Sequence, residues 1–345
     1  MLIDTHAHVF PPSFGAAPAG CDPAGWPSTE PAPDVEEGAK YLVDGPMRFP
    51  ARAAWFDAEQ RLEASQASGV DAELLSPFPA LLNYRVPARS GRDLCRVVNS
   101  YIAGLAAAFP SRFFGLGMVP MQDPDMAAAE LTEVAKAGLA GVEIGSNING
   151  ASLHDERFLP FFAEAERLGT AIFVHAMPAP SDRLPGPATA TFGVGVEGAL
   201  AAAAIITGGV AEKYPGLKLA FSHAAGGFPL MLTRAQWFWG RTWNEEPPPP
   251  PEQRPGAEPW AAPHGPSELA RRFYYDSLVF DRRAIRYLID LLGAGRLLIG
   301  TDFPAMPRED PCGRTLLSMG LPDAVTEDIT WNNCFRFLGI DPPRG

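Results

Sequence analysis

The amino-acid sequence predicts an α/β protein of the (β/α)8, or TIM, barrel class, formed by one domain over residues 1–345. Strand-like and helix-like segments alternate eight times, which is typical of a parallel sheet with helical crossovers. Several strand segments are nearly continuous apolar runs, as parallel strands covered on both faces require. No glycine-rich phosphate-binding fingerprint follows an early strand, so an open dinucleotide-binding sheet is disfavoured.

Apolar runs and helix-breaking residues locate the elements. The predicted strands cover residues 2–8, 70–76, 113–120, 139–146, 171–175, 217–223, 272–277 and 296–300. The predicted helices cover residues 57–67, 92–109, 126–137, 156–168, 197–213 and 228–239, a stretch after Asp281, and 324–338. Asp125 is predicted to cap the third helix, which Gly138 ends, and Asp281 to cap the seventh.

Two segments stand outside this alternation. Residues 9–57 are rich in Pro and Gly and show no periodicity, so they are predicted to be a long insertion without regular structure. Because this insertion follows the first strand directly, we expect it to form a lid over that strand's end. Residues 243–270 form a Pro-rich loop before the seventh strand, with five consecutive prolines at 247–251.

Composition narrows the classes of partner and the compartment. A net charge of −12 disfavours nucleic acid and anionic lipid as partners. No run of 18 apolar residues is free of polar or turn residues, and no basic, apolar leader precedes the first strand. The four cysteines include no C-x-x-C pair, which favours a reducing compartment. A cytoplasmic protein is therefore expected.

Four of the six histidines fall where predicted strands end. His6 and His8 close the first strand and point to the same face because strand side chains alternate with period 2. His175 ends the fifth strand, His223 ends the sixth, and Asp302 follows the eighth, which neighbours the first in a closed barrel. Barrel enzymes build their sites at these strand ends. Three or four imidazoles and one carboxylate suit a Zn²⁺-type ion with an open position for water.

The other two histidines, His154 and His264, lie in predicted loops and are expected to face solvent. Asp276, at the end of the seventh strand, is interpreted either as a further polar contact of the site or as a residue that caps a loop.

Several motifs resemble the amidohydrolase superfamily, and more specifically its decarboxylase branch. They are the His-x-His of residues 6–8, GLGMVPMQ at 115–122, GVEIG at 141–145, FSH and GGF at 221–228, and GTDFP at 300–304. The resemblance covers the first ten residues and most of the chain from about residue 48. His-x-His, where many aromatic-acid decarboxylases of the branch have Glu-x-His, favours its carboxymuconate-type subgroup.

The resemblance implies a role for each residue of the set. His6, His8, His175 and Asp302 would be metal ligands, and His223 would be the general acid/base. The fourth strand ends without the lysine that bridges two metals in binuclear members. One divalent ion is therefore expected, Zn²⁺ first and Mn²⁺ as the alternative.

Two arginines also match the family pattern. Arg48, seven residues before Trp55, would bind the substrate carboxylate, and Arg234 would reach into the neighbouring subunit's site, which implies a homodimer. Guanidinium groups bind carboxylates bidentately, which suits a small-molecule acid as the partner. The chain departs from the family pattern after His175, where Ala176, Met177 and a Gly/Ala-rich run at 186–195 predict a roomier, less aromatic pocket wall.

The expected function is metal-dependent, non-oxidative decarboxylation of a small unsaturated or aromatic carboxylic acid, with His223 and a metal-bound water moving the proton. A mononuclear hydrolase of an amide, lactone or carbon–carbon bond is the alternative, because the same ligand set serves both reactions. A non-catalytic binding barrel is the third possibility and requires histidines that hold no metal.

Overall fold

The computed structural model describes residues 1–21, 25–177, 184–240 and 264–343. Within these ranges it has thirteen strands: β1 (Ile3–Val9), β2 (Ser28–Pro31), β3 (Lys40–Asp44), β4 (Met47–Ala51), β5 (Ala72–Pro77), β6 (Phe113–Met118), β7 (Gly141–Gly145), β8 (Asn147–Ile148), β9 (Ala151–Ser152), β10 (Ala171–His175), β11 (Lys218–Phe221), β12 (Tyr274–Asp276) and β13 (Leu297–Leu298).

Eight of these strands form one parallel sheet in the order β1-β5-β6-β7-β10-β11-β12-β13. The two ends of the sheet meet, because Thr5 N donates to Ile299 O at 2.9 Å and Ala7 forms a parallel bridge with Phe303. Residues almost 300 positions apart in sequence are thereby neighbours. The predicted (β/α)8 barrel is confirmed.

The helices connect the barrel strands and cover the outside of the sheet. They are α1 (Ala58–Ala67), α2 (Ala88–Ala108), α3 (Pro124–Lys136), α4 (Leu159–Leu168), α5 (Ala188–Thr207), α6 (Val210–Lys213), α7 (Phe228–Gly240), α8 (Pro266–Ala270), α9 (Arg282–Leu292), α10 (Arg314–Leu317), α11 (Asp323–Glu327) and α12 (Asn333–Leu338). Among the described helices, none has the length and apolar character needed to span a membrane.

Two clusters of buried apolar side chains hold these layers together. The smaller one joins inward-facing residues of the barrel strands, such as Ile3, Leu74 and Phe173, to Trp331 and Phe335 near the C-terminal end of the chain. The larger one lies mostly between the strands and the surrounding helices. Alternate residues of each strand therefore enter different cores, as a closed barrel with a helical shell requires.

The insertion after β1 is more ordered than its sequence indicates. Strands β2, β3 and β4 form a three-stranded antiparallel sheet within residues 28–51, where no regular structure was expected. A backbone hydrogen bond from Phe10 N to Trp55 O joins the two ends of the insertion. Its strands have only four or five residues, and Pro31 and Pro50 lie within two of them. The alternation of apolar and polar residues could therefore not reveal them.

Several predicted element boundaries were wrong. Asp123, and not Asp125, caps α3: its carboxylate accepts from Met126 N at 3.0 Å, and Pro124 takes the first helical position. Helix α5 begins at Ala188, nine residues before its predicted start, and takes in most of the Gly/Ala-rich run. The predicted cap Asp281 is confirmed, since it accepts from Arg283 N.

The Pro-rich loop predicted at 243–270 lies mainly outside the described residues, and its last five residues form α8.

Candidate metal centre

The four predicted ligands lie close together at the ends of three barrel strands, two that are neighbours at the closure of the barrel and one from across it. His6 and His8 lie on β1, His175 ends β10, and Asp302 follows β13. One nitrogen or oxygen from each of the four lies within 4.8 Å of the corresponding atoms of the other three. His6 Nε2 lies 3.1 Å from His8 Nε2, and Asp302 Oδ1 lies 3.1 Å from His8 Nε2 and 3.6 Å from His6 Nε2.

Hydrogen bonds at the far side of each ring decide which nitrogen faces the centre. His8 Nδ1 is 3.0 Å from Pro77 O, and His175 Nδ1 is 3.0 Å from Ala176 O. A carbonyl oxygen can only accept, so both Nδ1 atoms carry the proton and both Nε2 atoms keep a lone pair. His6 Nδ1 is likewise 2.7 Å from the Asp276 carboxylate. Partners of this kind fix the tautomer of metal-binding histidines.

The spacing and burial of these atoms fit a divalent ion. Ligand atoms about 2.0–2.2 Å from a tetrahedral Zn²⁺ lie roughly 3.3–3.6 Å apart, close to the three distances above. His175 Nε2 is buried and has no hydrogen-bond partner among the described residues. A buried acceptor without a partner costs free energy of folding unless a ligand binds to it. His6 and His8 are fully buried, and His175 is 6% exposed.

The electrostatics of the rings differ with their surroundings. Burial lowers the pKa of His8 to about 4 and that of His175 well below its ordinary value, so both rings are neutral at pH 7. Burial also lowers the pKa of His6, but the hydrogen bond to Asp276 and nearby carboxylates raise it further, to about 9. The neighbouring imidazoles keep the pKa of Asp302 below its usual range despite burial.

His223 lies beside this cluster and not within its set of ligand atoms. Its ring centroid is 5.2 Å from that of His6 and 5.6 Å from that of His175. Burial lowers its pKa, so it is neutral at pH 7. We call His6, His8, His175, His223 and Asp302 the inner cluster.

Two members of the inner cluster have a strained backbone. His223 has φ = 50° and Asp302 has φ = 60°, and non-glycine residues rarely adopt these left-handed conformations. Each such residue costs about 1–3 kcal/mol, which persists only where the surrounding structure imposes it, often at functional sites.

A close backbone contact supports the turn that carries His223. A Cβ atom on Gly226 (φ = 55°) would lie 1.8 Å from Gly195 O of helix α5. Gly227 N donates to the same oxygen at 3.2 Å. Most of the Gly/Ala-rich run is therefore a helix, and Gly195 and Gly226 allow this turn to approach it closely.

Glu143 is a buried carboxyl group near the site, and the sequence alone did not single it out as a site residue. It is fully buried on β7, its nearer oxygen lies 3.8 Å from His8 Nδ1, and neither oxygen has a hydrogen-bond partner in the described part of the chain. Burial raises its pKa to about 8, which leaves it mostly protonated at pH 7. The signal in the sequence was a single acidic residue inside an otherwise apolar strand.

A second group of buried charges lies on β1, β5 and the segments packed against them. Asp4 of β1 and Glu73 of β5 are register partners and face Arg61 of α1 and Arg308 of the loop after β13. All four side chains are at most 2% exposed. We call these four residues the outer network. A register shift in β1 between Asp4 and Ala7 lets Asp4 and His6 face opposite sides.

The predicted substrate-binding arginines lie away from these contacts. Arg48 on β4 is 55% exposed, pairs with Glu30 at 3.3 Å and lies 3.7 Å from the centroid of the Tyr41 ring. Arg234 on α7 is exposed, and its guanidinium lies 4.9 Å from the Phe238 ring centroid. Within the described single chain, neither contacts the inner cluster. His154 and His264 are exposed, as expected.

A closed barrel with three convergent imidazoles and a carboxylate at the carboxyl ends of its strands defines a class, the metal-dependent (β/α)8 enzymes. The family model described as "Amidohydrolase" matches residues 3–340, and the chain belongs to this family. The recognition made from the motifs is thus confirmed.

Relatives within the family carry decarboxylase names. The 2-amino-3-carboxymuconate-6-semialdehyde decarboxylase of Dictyostelium discoideum is 30% identical over 99% of this chain and 92% of its own length. The 5-carboxyvanillate decarboxylase of Sphingomonas paucimobilis has a structure similar to this one, with a TM-score of 0.77, 26% identity and 99% coverage of both chains. These relatives are named decarboxylases, which is the branch of the family that the motifs predicted.

A more distant structure supports the fold alone. The dihydroxybenzoic acid decarboxylase of Polaromonas sp. JS666, solved with bound manganese and the inhibitor 2-nitroresorcinol, is 22% identical, with a TM-score of 0.71 over 98% of this chain and 96% of that one.

Proposed function

We propose that this chain is a metal-dependent, non-oxidative decarboxylase of a small unsaturated or aromatic carboxylic acid. The observation that carries the proposal is the convergence of three Nε2 atoms and one carboxylate oxygen at the barrel rim, in a chain whose relatives are named decarboxylases. His6, His8, His175 and Asp302 would hold one divalent ion.

Zn²⁺ is the ion we propose, because three imidazoles, one carboxylate and near-tetrahedral spacing suit it. Mn²⁺, which the Polaromonas protein contains, is the alternative. The bound ion would act as a Lewis acid that polarises an oxygen or nitrogen of the substrate.

The chain's own residues would handle the proton. In decarboxylation the bond between the carboxylate and its carbon breaks, CO₂ leaves, and the electron pair that stays on the carbon takes up one proton. The His223 imidazole is neutral at pH 7 and lies beside His6. It would accept a proton from a substrate hydroxyl group or water and return it to that carbon. Because the site is buried, bulk water is excluded from it. Fixed hydrogen-bond donors and dipoles can therefore stabilise the charge that develops during the reaction.

Arg48 is proposed to bind the substrate carboxylate after moving from its present contacts with Glu30 and Tyr41. The insertion that carries it is proposed to act as a lid. Phe49 of β4 lies 4.8 Å, between ring centroids, from Phe78, which directly follows barrel strand β5. This contact supports a position of the insertion over the rim where the inner cluster lies. We expect Arg48→Ala to raise KM by about 10-fold or more, since a charged hydrogen bond is lost, and the control Arg52→Ala, 75% exposed, to leave KM unchanged.

A homodimer is proposed on the basis of two exposed apolar stripes. Helix α5 exposes Phe192 (65%), Val196 (51%) and Leu200 (58%) at i, i+4 and i+8, and the neighbouring α7 exposes Leu230 and Met231 beside Arg234. A helical stripe of this composition facing solvent is unusual in a monomer. A second copy of this chain would cover it and bring Arg234 to the neighbouring site.

Complementation between inactive variants tests the shared site. His223→Ala and Arg234→Ala subunits are each expected to be nearly inactive alone. If Arg234 acts across the interface, a randomly mixed dimer population regains about a quarter of wild-type activity, because half the dimers contain one intact site of two. No recovery in mixed dimers, or a monomer in solution, would contradict the proposal.

We also propose a cytoplasmic location. Cys95, Cys312 and Cys334 are buried free thiols, which is the usual state of cysteine in reducing compartments.

Metal analysis combined with product analysis tests the central proposal. The purified chain is stripped with a chelator, reloaded with Zn²⁺ or Mn²⁺, and supplied with carboxylated muconates and hydroxy- or aminobenzoates while CO₂ is measured. CO₂ release without oxygen from labelled water entering the product is the expected result. Labelled oxygen in the product identifies the hydrolase alternative, and a chain that binds no metal rules out both reactions.

A further inference from the structure

The strongest unassigned feature of the site is the Asp276 carboxylate at the end of β12. It is fully buried and accepts four hydrogen bonds: Oδ2 from His6 Nδ1 at 2.7 Å and His223 N at 2.8 Å, and Oδ1 from Ala224 N at 2.9 Å and Leu278 N at 3.1 Å. A carboxylate has about four acceptor positions, so this one is fully used. A residue that only capped its own loop would need the contact with Leu278 alone.

The turn that Asp276 contacts is strained. His223, Ala224 and Ala225 have φ values of 50°, 52° and 57°, three consecutive non-glycine residues in the left-handed region. Left-handed conformations are unfavourable for residues with a Cβ atom, and successive N–H groups in unusual turns can form an anion-binding concavity. The carboxylate of Asp276 occupies that concavity and opposes the relaxation of the turn.

The segment after β13 packs closely against His6 and Asp276. A Cβ atom on Gly300 would lie 2.7 Å from His6 Cβ and 3.1 Å from Asp276 Cβ. Gly300 thus lets the backbone of this segment approach both side chains from one side.

We propose that Asp276 is a positioning residue that aligns two parts of the reaction machinery at once: the His6 ring, whose Nε2 it turns toward the metal position, and the backbone turn that aims His223. The inference rests on the proposed function for the role of His223, whereas the alignment of His6 stands on the hydrogen bonds alone. One carboxylate therefore couples the ligand side of the site to the proton-transfer side.

Asp276→Asn cannot keep all four contacts because an amide has one acceptor oxygen. If its NH₂ group takes the place of Oδ2, it donates to His6 Nδ1, which moves the ring proton to Nε2 and blocks the metal position, and it also opposes His223 N–H. If the NH₂ group takes the place of Oδ1, it opposes Ala224 N–H and Leu278 N–H and releases the turn. Either orientation disrupts at least one function. We expect Zn²⁺ affinity or kcat at saturating Zn²⁺ to fall about 10–100-fold.

The matched control is Asp281→Asn, the same chemical change five residues away at the exposed cap of α9. Asn caps helices about as well as Asp, so Zn²⁺ affinity and kcat should stay at wild-type values. Gly300→Ala is a second variant that displaces His6 and Asp276 without changing a charge, and it should also weaken Zn²⁺ binding.

The decisive readout is the ring-nitrogen spectrum of ¹⁵N-histidine-labelled protein loaded with Zn²⁺, which has only six histidines to resolve. Wild type should show His6 bound through Nε2 with its proton on Nδ1, a signature that a purely structural role for Asp276 would not require. This measurement on wild type holds even if Asp276→Asn fails to fold. A proton on His6 Nε2 in wild type, or an Asn variant with wild-type affinity, kcat and spectrum, would overturn the inference.

The two proposals can fail separately. If wild type releases no CO₂ from any acid tested while Asp276→Asn still loses Zn²⁺ affinity, the proposed reaction is wrong and the alignment of His6 stands. If wild type is a decarboxylase and the variant behaves like wild type, only the role of Asp276 is wrong.

Discussion

The inner cluster and the outer network are both buried groups of ionisable side chains, and both include residues of β1 and of the segment after β13, yet they are built differently. In the outer network two arginines face two carboxylates, and only one guanidinium nitrogen, Nη2 of Arg61, lacks a partner among its described surroundings. In the inner cluster three of the four imidazoles and the Asp302 carboxylate each bring one ligand atom to the same place. Complementary charges stabilise a fold, whereas an uncompensated set of acceptors indicates a binding site.

Replacing histidines of the inner cluster should have the largest effect, and the property affected should be catalytic activity. His223→Ala is expected to lower kcat by about 10²–10⁴-fold, because a positioned acid/base is lost, while metal content stays unchanged. His175→Ala should lose the metal itself. Metal analysis and kinetics on both variants check this, with His154→Ala, an exposed histidine, as the control. Full activity in both variants would show that the roles are wrongly assigned.

Breaking the outer network should instead reduce stability. Arg308→Met removes the guanidinium that contacts both Asp4 and Glu73 and leaves uncompensated charge in a buried site. The expected loss is about 3–5 kcal/mol of unfolding free energy, measured by urea unfolding. Arg283→Ala, which breaks an ion pair whose arginine is 92% exposed, should leave the free energy of unfolding nearly unchanged, because solvent screens such pairs. Equal effects of the two variants would remove the distinction between the regions.

A pair of adjacent glycines tests the support of the His223 turn. Gly226→Ala places a Cβ atom 1.8 Å from Gly195 O at a positive φ, whereas a Cβ atom on Gly227 meets nothing within 4 Å. The first variant is expected to lose about 2–4 kcal/mol of stability together with activity. The second should keep both. Thermal unfolding and kcat are the measurements, and an active, stable Gly226→Ala protein would contradict the structure of this turn.

The smallest expected effect is a pH dependence of the outer network. Burial raises the pKa of Glu73, but Arg61 and Arg308 lower it further, to about 2 from an ordinary 4.5. A folded-state pKa below the unfolded one adds stability above about pH 4.5, which is lost as pH falls toward 2. The contribution is up to about 3 kcal/mol. The stability difference between wild type and Glu73→Gln, followed by urea unfolding from pH 6 to 2.5, should shrink as pH falls, and a constant difference would count against the assigned pKa.

Much of the fold, and the grouping of His6, His8, His175 and Asp302 at one rim of the barrel, could be predicted from the sequence. Apolar runs located the eight barrel strands, because parallel strands are buried on both faces. His154 and His264 were separated from the other histidines by position along the chain alone. The sheet within the insertion was missed because its strands have only four or five residues and two of them contain proline. The cap of α3 was misplaced by two residues because Asp123 and Asp125 are both acceptable caps locally.

The sequence by itself determined which residue types stand at the strand ends, because local patterns of hydrophobicity indicate the order of strands and helices. Only the tertiary structure decided which nitrogen of each imidazole faces the centre, that Asp276 contacts both His6 and His223, and that Arg48 rests against Glu30 and Tyr41. The physical reason is that a side chain's orientation depends on hydrogen-bond partners contributed by strands hundreds of residues away. Those partners become neighbours only when the barrel closes.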